Sequence, residues 1–207
     1  MFAINAMLSS GAEAPKTLNY LGNDGASSSS FTGCDLGTPA ADRRIIVWAS
    51  TDGGNADRIT GITVAGEACD MLVENTGRGT CAIGIAIVPT GTSGTISITA
   101  TGTARYAIGW WECTGLSDNT AHDTATTDTD NDPMSLDTTD GGFLVGGGCH
   151  ENSALPSTTG DATERWSSSV SGELGNSGGD ATTDGTSTDI TIDGISNSRR
   201  GACAVSF

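Results

Sequence analysis

Cations are scarce in this chain. Lysine occurs once, at Lys16, and nine Lys and Arg residues face 25 Asp and Glu for a formal net charge of -16. Such a field repels phosphate, and the adjacent basic pairs Arg43-Arg44 and Arg199-Arg200 are too small to form a nucleic-acid surface. Anionic membranes are disfavoured for the same reason. No segment approaches the roughly 20 apolar residues of a membrane-spanning helix. The amino end, Met1-Phe2-Ala3-Ile4-Asn5-Ala6-Met7-Leu8, is apolar but short, and it lacks the positive leading region of a secretory signal. The expectation is synthesis in a cytoplasm without export by the general route. Amphipathic helices of useful length are missing, which excludes a parallel α/β architecture with crossover helices. Heptads and internal repeats are not legible either.

What is present is period two. The 207 residues include 30 glycines and abundant Ser and Thr, a composition suited to short strands joined by tight turns. Alternation predicts strands over 17–21, 28–32, 43–50, 62–64, 67–73, 81–88, 95–101, 105–113, 142–149, 164–170, 186–192 and 202–207. Turn residues punctuate them at Asp52-Gly53-Gly54-Asn55, Ala65-Gly66, Asn75-Thr76-Gly77, Pro89-Thr90-Gly91 and Asp140-Gly141-Gly142. The fold class is therefore all-β: an antiparallel β-sandwich with jelly-roll or related Greek-key topology. The organisation expected is an amino-terminal arm over 1–16 and a single sandwich over 17–207, with a Gly/Ser/Thr-rich extended loop or exposed hairpin at about 151–188. Two strands, Ile45-Ile46-Val47-Trp48 and the run from Ala82 to Val88, are apolar on both faces. Each needs cover on two sides, from a second sheet and a loop or from another subunit.

Several constellations invite a chemical reading. Gly175-Asn176-Ser177-Gly178-Gly179 and Thr120-Ala121-His122 resemble the serine and histidine segments of chymotrypsin-like proteases. The segments lie too close in sequence for that fold, and Asn176 stands where the family has Asp, so a Gly-rich turn is the better expectation. Asp128-Thr129-Asp130-Asn131-Asp132 alternates carboxylates as a calcium loop does, but Pro133 and Thr139 occupy the positions of the EF-hand glycine and bidentate glutamate. A solvated acidic loop is expected there. Cys149-His150-Glu151 places three ligand types in a row, yet successive strand residues point to opposite faces and do not chelate one metal. The six cysteines are widely spaced without a C-x-x-C pair. Cys81, Cys113, Cys149 and Cys203 fall in phase with apolar neighbours, so buried free thiols are expected. On one strand, Trp110 and Trp111 face opposite ways. One enters the core, and the other, if exposed, would suit a protein or sugar surface. No cofactor, catalytic residue or metal ligand emerges.

From Leu36 to about Cys149 the layout resembles structural proteins of tailed bacteriophages and prophages. The motifs that carry the resemblance are Leu36-Gly37-Thr38 with Ala40-Ala41-Asp42-Arg43-Arg44 entering Ile45-Ile46-Val47, then Ile62-Thr63-Val64-Ala65-Gly66-Glu67-Ala68, Val88-Pro89-Thr90-Gly91-Thr92 and Cys113-Thr114-Gly115-Leu116. The resemblance implies a non-enzymatic virion protein made in the host cytoplasm. It does not assign the part of the virion; the role expected is a capsid decoration (cement) protein that clamps the major capsid protein and associates with its own copies, a homotrimer being favoured. The alternative is a tail, baseplate or head-fibre module that binds host glycan. Phe2, Ile4, Met7 and Leu8 lie outside any clear sheet and are the expected partner-binding residues of the arm; the other expectation for the arm is an edge strand on its own sandwich.

Overall fold

In the computed structural model, residues 15–52, 58–76, 80–102, 105–151, 154–195 and 200–207 are described, and their paired strands all run antiparallel. The first half holds β1 (Thr17–Ala26), β2 (Ser30–Asp35), β3 (Arg44–Thr51), β4 (Ile59–Val64), β5 (Glu67–Ala68), β6 (Asp70–Asn75), β7 (Thr80–Ile87), β8 (Ser93–Ala100) and β9 (Tyr106–Thr114). An inner sheet runs in the order β1-β9-β3-β7-β6, and an outer sheet in the order β2-β8-β4-β5. With the edge strand β6 set aside, this is the strand order of a jelly roll. The expected strand over 67–73 is broken at Cys69, whose amide donates to the Ile62 carbonyl as the chain leaves the outer sheet at β5 and enters the inner one at β6.

The second half repeats the scheme. It holds β10 (Asp123–Thr127), β11 (Met134–Leu136), β12 (Asp140–Glu151), β13 (Ser157–Gly160), β14 (Thr163–Val170), β15 (Leu174–Asp184), β16 (Thr188–Asp193) and β17 (Arg200–Ser206). Its inner sheet runs β10-β17-β12-β15-β14 and its outer sheet β11-β16-β13. Strand for strand this is the order of the first half, with no counterpart of β5. The ladders agree in detail. Register shifts after the second rung both between β6 and β7, at Met71 and Val73, and between β14 and β15, at Glu164 and Trp166. Where sequence suggests one sandwich without an internal repeat, the chain builds two of identical topology.

The four sheets stack outer, inner, inner, outer around three apolar layers. Ile45, Val47, Ala82 and Ala86 pack with Ile62, Ile96 and Ile98 between the first two sheets. Leu144, Ala202 and Ala204 pack with Met134, Ile190 and Ile192 between the last two. The middle layer joins the halves, with Ile46, Trp48, Ile83, Ile85 and Trp111 meeting Phe143, Val145, Trp166, Cys203 and Val205. Both doubly apolar strands thus find their two covers within this chain, a sheet on each face; a second subunit is not needed for them.

The segment at 151–188, expected as an extended loop or exposed hairpin with one strand over 164–170, contains β13, β14 and β15. Strand β15 pairs with β12 on one side and β14 on the other, and residues 174–180 are buried. Its small side chains make room for large ones. A Cβ on Gly178 would lie 2.2 Å from the Trp166 ring, and one on Gly109 of the first half equally close to the same indole. Trp48 in turn lies over Gly147, within 3.0 Å of where a Cβ would stand. By register Trp48 and Gly147 are equivalent positions of the two halves, so the shared layer interlocks large against small.

Candidate functional site

The structure separates the protease-like pair. Ser177 sits in mid-strand on β15, fully buried, with its hydroxyl 3.2 Å from Thr158 Oγ1. Asn176 Oδ1 accepts from Trp166 Nε1 at 2.9 Å and from Ser168 Oγ at 3.0 Å. His122 immediately precedes β10, three strands away across the same sheet, or roughly 14 Å at the usual strand spacing. The Gly175–Gly179 segment is a strand interior, not the turn that its glycines suggested.

The acidic loop uses its carboxylates locally. Asp130 Oδ1 accepts from the Ile195 amide at 3.0 Å and Asp132 Oδ2 from Thr127 Oγ1 at 2.9 Å. Among the described residues no group of three His, Cys, Asp or Glu side chains converges on a metal position. On β12, Cys149 packs into the shared layer, while His150, also buried, donates from Nε2 to the Ala154 carbonyl at 2.9 Å. All six cysteines are free. Burial pushes the Cys69 and Cys113 thiols up to about 12 and raises Cys81 and Cys149 well above the ordinary value, so these thiols are packing groups and not nucleophiles.

Both members of the tryptophan pair are covered, each by a different sheet. Trp110 lies in the first sandwich core and donates from Nε1 to the Asp35 carbonyl at 2.7 Å. Trp111 lies in the shared layer and donates to Asp180 Oδ2 at 2.7 Å. Among the described aromatic residues only Tyr20 is not buried, and its ring stacks on Trp166 at 6.0 Å. No ring in the described part is laid open for stacking on a sugar.

Two accessible hollows lie on the first sandwich, while the most exposed large apolar side chain, Leu155, lies on the second. A groove of about 460 Å³ runs between β4 and β6, lined by Arg58, Ile59, Thr60, Met71, Val73 and Glu74. A second hollow of about 580 Å³ is lined by Ser27, Ser28, Ser29, Ile98, Thr99 and Tyr106. Met71 and Ile87, 37% and 48% exposed, are two of three large apolar side chains left in solvent among the described residues; they sit on β6 and at the end of its neighbour β7. The groove has a counterpart in the second sandwich that is closed: Glu164 Oε2 accepts from the Thr158 amide at 2.6 Å, and Ser167 Oγ donates to the Pro156 carbonyl at 2.6 Å. Sequence reading missed the groove, because the run Asp70-Met71-Leu72-Val73-Glu74 reads as an ordinary strand and nothing in it marks an open edge.

Phe2, Ile4, Met7 and Leu8 lie outside the described residues. The arm that carries them joins the fold at Lys16, whose ammonium donates to Thr139 Oγ1 at 3.0 Å, and at Thr17, which pairs with Thr114. This junction borders a cavity of about 270 Å³ lined by Leu116, Asp118, Ala121, His122 and Phe207. No protein-family model matches the chain, and no curated protein matches it.

Proposed function

We propose that this is a non-enzymatic virion structural protein, most simply a capsid decoration protein that binds the major capsid protein and its own copies through the amino-terminal arm. The observation that carries the reading is a doubly stacked β scaffold whose residues of chemical interest are consumed by packing, joined to an arm rich in apolar residues. Ser177, His150, Trp110 and Trp111 are buried, and the first two are hydrogen-bonded to neighbours that leave no room for a substrate. The phage-protein motifs between Leu36 and Cys149 support the same reading. Acidity fits it too, since a net charge of -16 keeps free copies apart until specific contacts overcome repulsion. The second half, from Asp123 onward, holds 14 of the 25 acidic residues and only three of the nine basic ones, so in this reading it faces solvent and the first sandwich faces the particle.

The glycan-binding alternative gains little, because it requires an exposed ring or a polar pocket with fixed donors, and the hollow beside Ser27–Ser29 offers only hydroxyls around a buried Tyr106. Deleting residues 1–8 tests the proposal. The truncated protein is expected to keep its β circular-dichroism spectrum and to stop co-sedimenting with particles; undiminished co-sedimentation would refute the role of the arm.

A further inference from the structure

We infer that the β4–β6 groove of one copy receives the amino-terminal arm of a second copy as an added strand on β6, so that copies link head to tail. The inference rests on reading the arm as an attachment element and names what it attaches to.

The internal duplication supplies the comparison. Each inner sheet ends in a strand paired on one side only, β6 in the first half and β14 in the second. Edge strands invite pairing unless charge or cover blocks them. Strand β14 has both protections. At the rung where β6 carries Met71, β14 carries Glu164, followed by Arg165, and the 154–158 segment is tied over it by the Glu164–Thr158 and Ser167–Pro156 hydrogen bonds. Strand β6 has neither at that rung. It presents Met71 and Leu72 beside an open groove, and Glu74 there has a buried Oε1 without a hydrogen-bond partner among the described residues. The two far edges, β1 and β10, are polar, with Asn19, Asn23 and Asp24 on one and Asp123, Thr124 and Thr126 on the other.

The arm fits as occupant. Phe2, Ile4, Ala6 and Leu8 alternate at the period of a strand, and no residue from Met1 to Ala12 has a charged side chain. An uncharged strand meets the Met71-Leu72-Val73 stretch, which Asp70 and Glu74 flank, without the repulsion that separates the rest of two acidic copies. Its starting point favours a second copy over its own. Strand β1, which the arm precedes, lies at the opposite edge of the inner sheet from β6, four strand spacings away, about 19 Å. Both faces of that sheet are covered, so within one copy the arm must travel round the end of the stack. Extended, its 16 residues span about 50 Å, enough to cross to a neighbour. A contact between unlike surfaces is heterologous; it closes into a ring when the rotation permits, which accommodates a trimer.

Light scattering on purified protein, with no particles present, tests this. The full chain is expected to sediment and scatter as a closed oligomer, while the chain lacking residues 1–8 is monomeric. M71E, which places on β6 the carboxylate that β14 already has, is also expected to be monomeric with an unchanged circular-dichroism spectrum. Mixed together, the arm-deleted chain supplies a groove and M71E supplies an arm, so the pair should form a one-to-one dimer that grows no further. A full chain that is monomeric, or an oligomer that survives M71E, overturns the inference. An oligomer of the expected behaviour that fails to bind particles would support it while removing the decoration reading.

Discussion

Asp180 is a polar joint between the two sandwiches. It is buried on β15, accepts from Trp111 Nε1 of the first half at 2.7 Å, and takes two hydrogen bonds from Arg165 at 2.7 and 2.8 Å. Asp180→Ala leaves the indole N–H without an acceptor in the shared layer, so urea denaturation should show a loss of about 1–3 kcal/mol; Asp180→Asn, which keeps an acceptor, should lose less. Equal losses would mean the hydrogen bond is not what Asp180 supplies. Close by, burial pushes the Tyr20 phenol up to about 12, against a smaller opposing pull from the Arg165 guanidinium. The Cys69 and Cys113 thiols rise from 9.0 to about 12, mainly through burial. A group whose folded pKa is raised keeps a proton that the unfolded chain has already released, so stability is full below the unfolded pKa and falls as pH climbs towards the folded one. The urea midpoint is therefore expected to hold up to about pH 9 and to decline steadily towards pH 12, with Tyr20→Phe removing the part that sets in near pH 10; a midpoint flat to pH 12 would contradict these burials. Residue chemistry was partly legible in the sequence: alternation alone placed Cys81, Cys113, Cys149 and Cys203 in cores and turned Trp110 and Trp111 to opposite faces. Asp180 was not, since one carboxylate among 25 gives no sign that it meets an indole more than sixty positions earlier.

At the level of elements, most strands followed from period two, and the exceptions have physical causes. Strands β10, β13 and β15 carry few large apolar residues, and β11 is only three residues long, too short for alternation to show. Strand β15 is the clearest case: Gly175-Asn176-Ser177-Gly178-Gly179 reads as a turn because glycine usually marks one, yet here Gly178 admits Trp166 and Gly175 admits His150. Gly178→Val should therefore cost about 1–3 kcal/mol by overpacking, and Trp166→Ala about 3–5 kcal/mol by leaving a cavity. Because the two side chains compete for one volume, the double variant should lose clearly less than the sum. Additive losses in a double-mutant cycle would show that they do not share that space. The edge of β6 was illegible for a different reason. Its openness is a property of what fails to cover it, visible only beside the closed edge of β14.

For the whole molecule, the all-β class and the antiparallel sandwich were readable from turns and alternation, with the jelly roll one of two connectivities left open, but the doubling was not. Matching positions of the two halves agree on a short stretch, Gly91-Thr92-Ser93 with Ile96 and Ile98 against Gly185-Thr186-Ser187 with Ile190 and Ile192, where Gly91 and Gly185 both take positive φ in equivalent turns. Elsewhere the shared layer has driven equivalent positions apart, as Trp48 and Gly147 show, so the repeat survives in topology more than in residues. Since that layer draws on both halves, heat or denaturant should unfold them together, with coincident transitions by circular dichroism and tryptophan fluorescence; two separated transitions would show that the sandwiches are stable apart. The proposed role of this scaffold in a particle is tested most directly by its copy number, from quantitative gel densitometry of purified virions. A decoration protein is expected in an amount comparable with the major capsid protein. A protein present in only a few copies per particle, or absent from it, would contradict the decoration role.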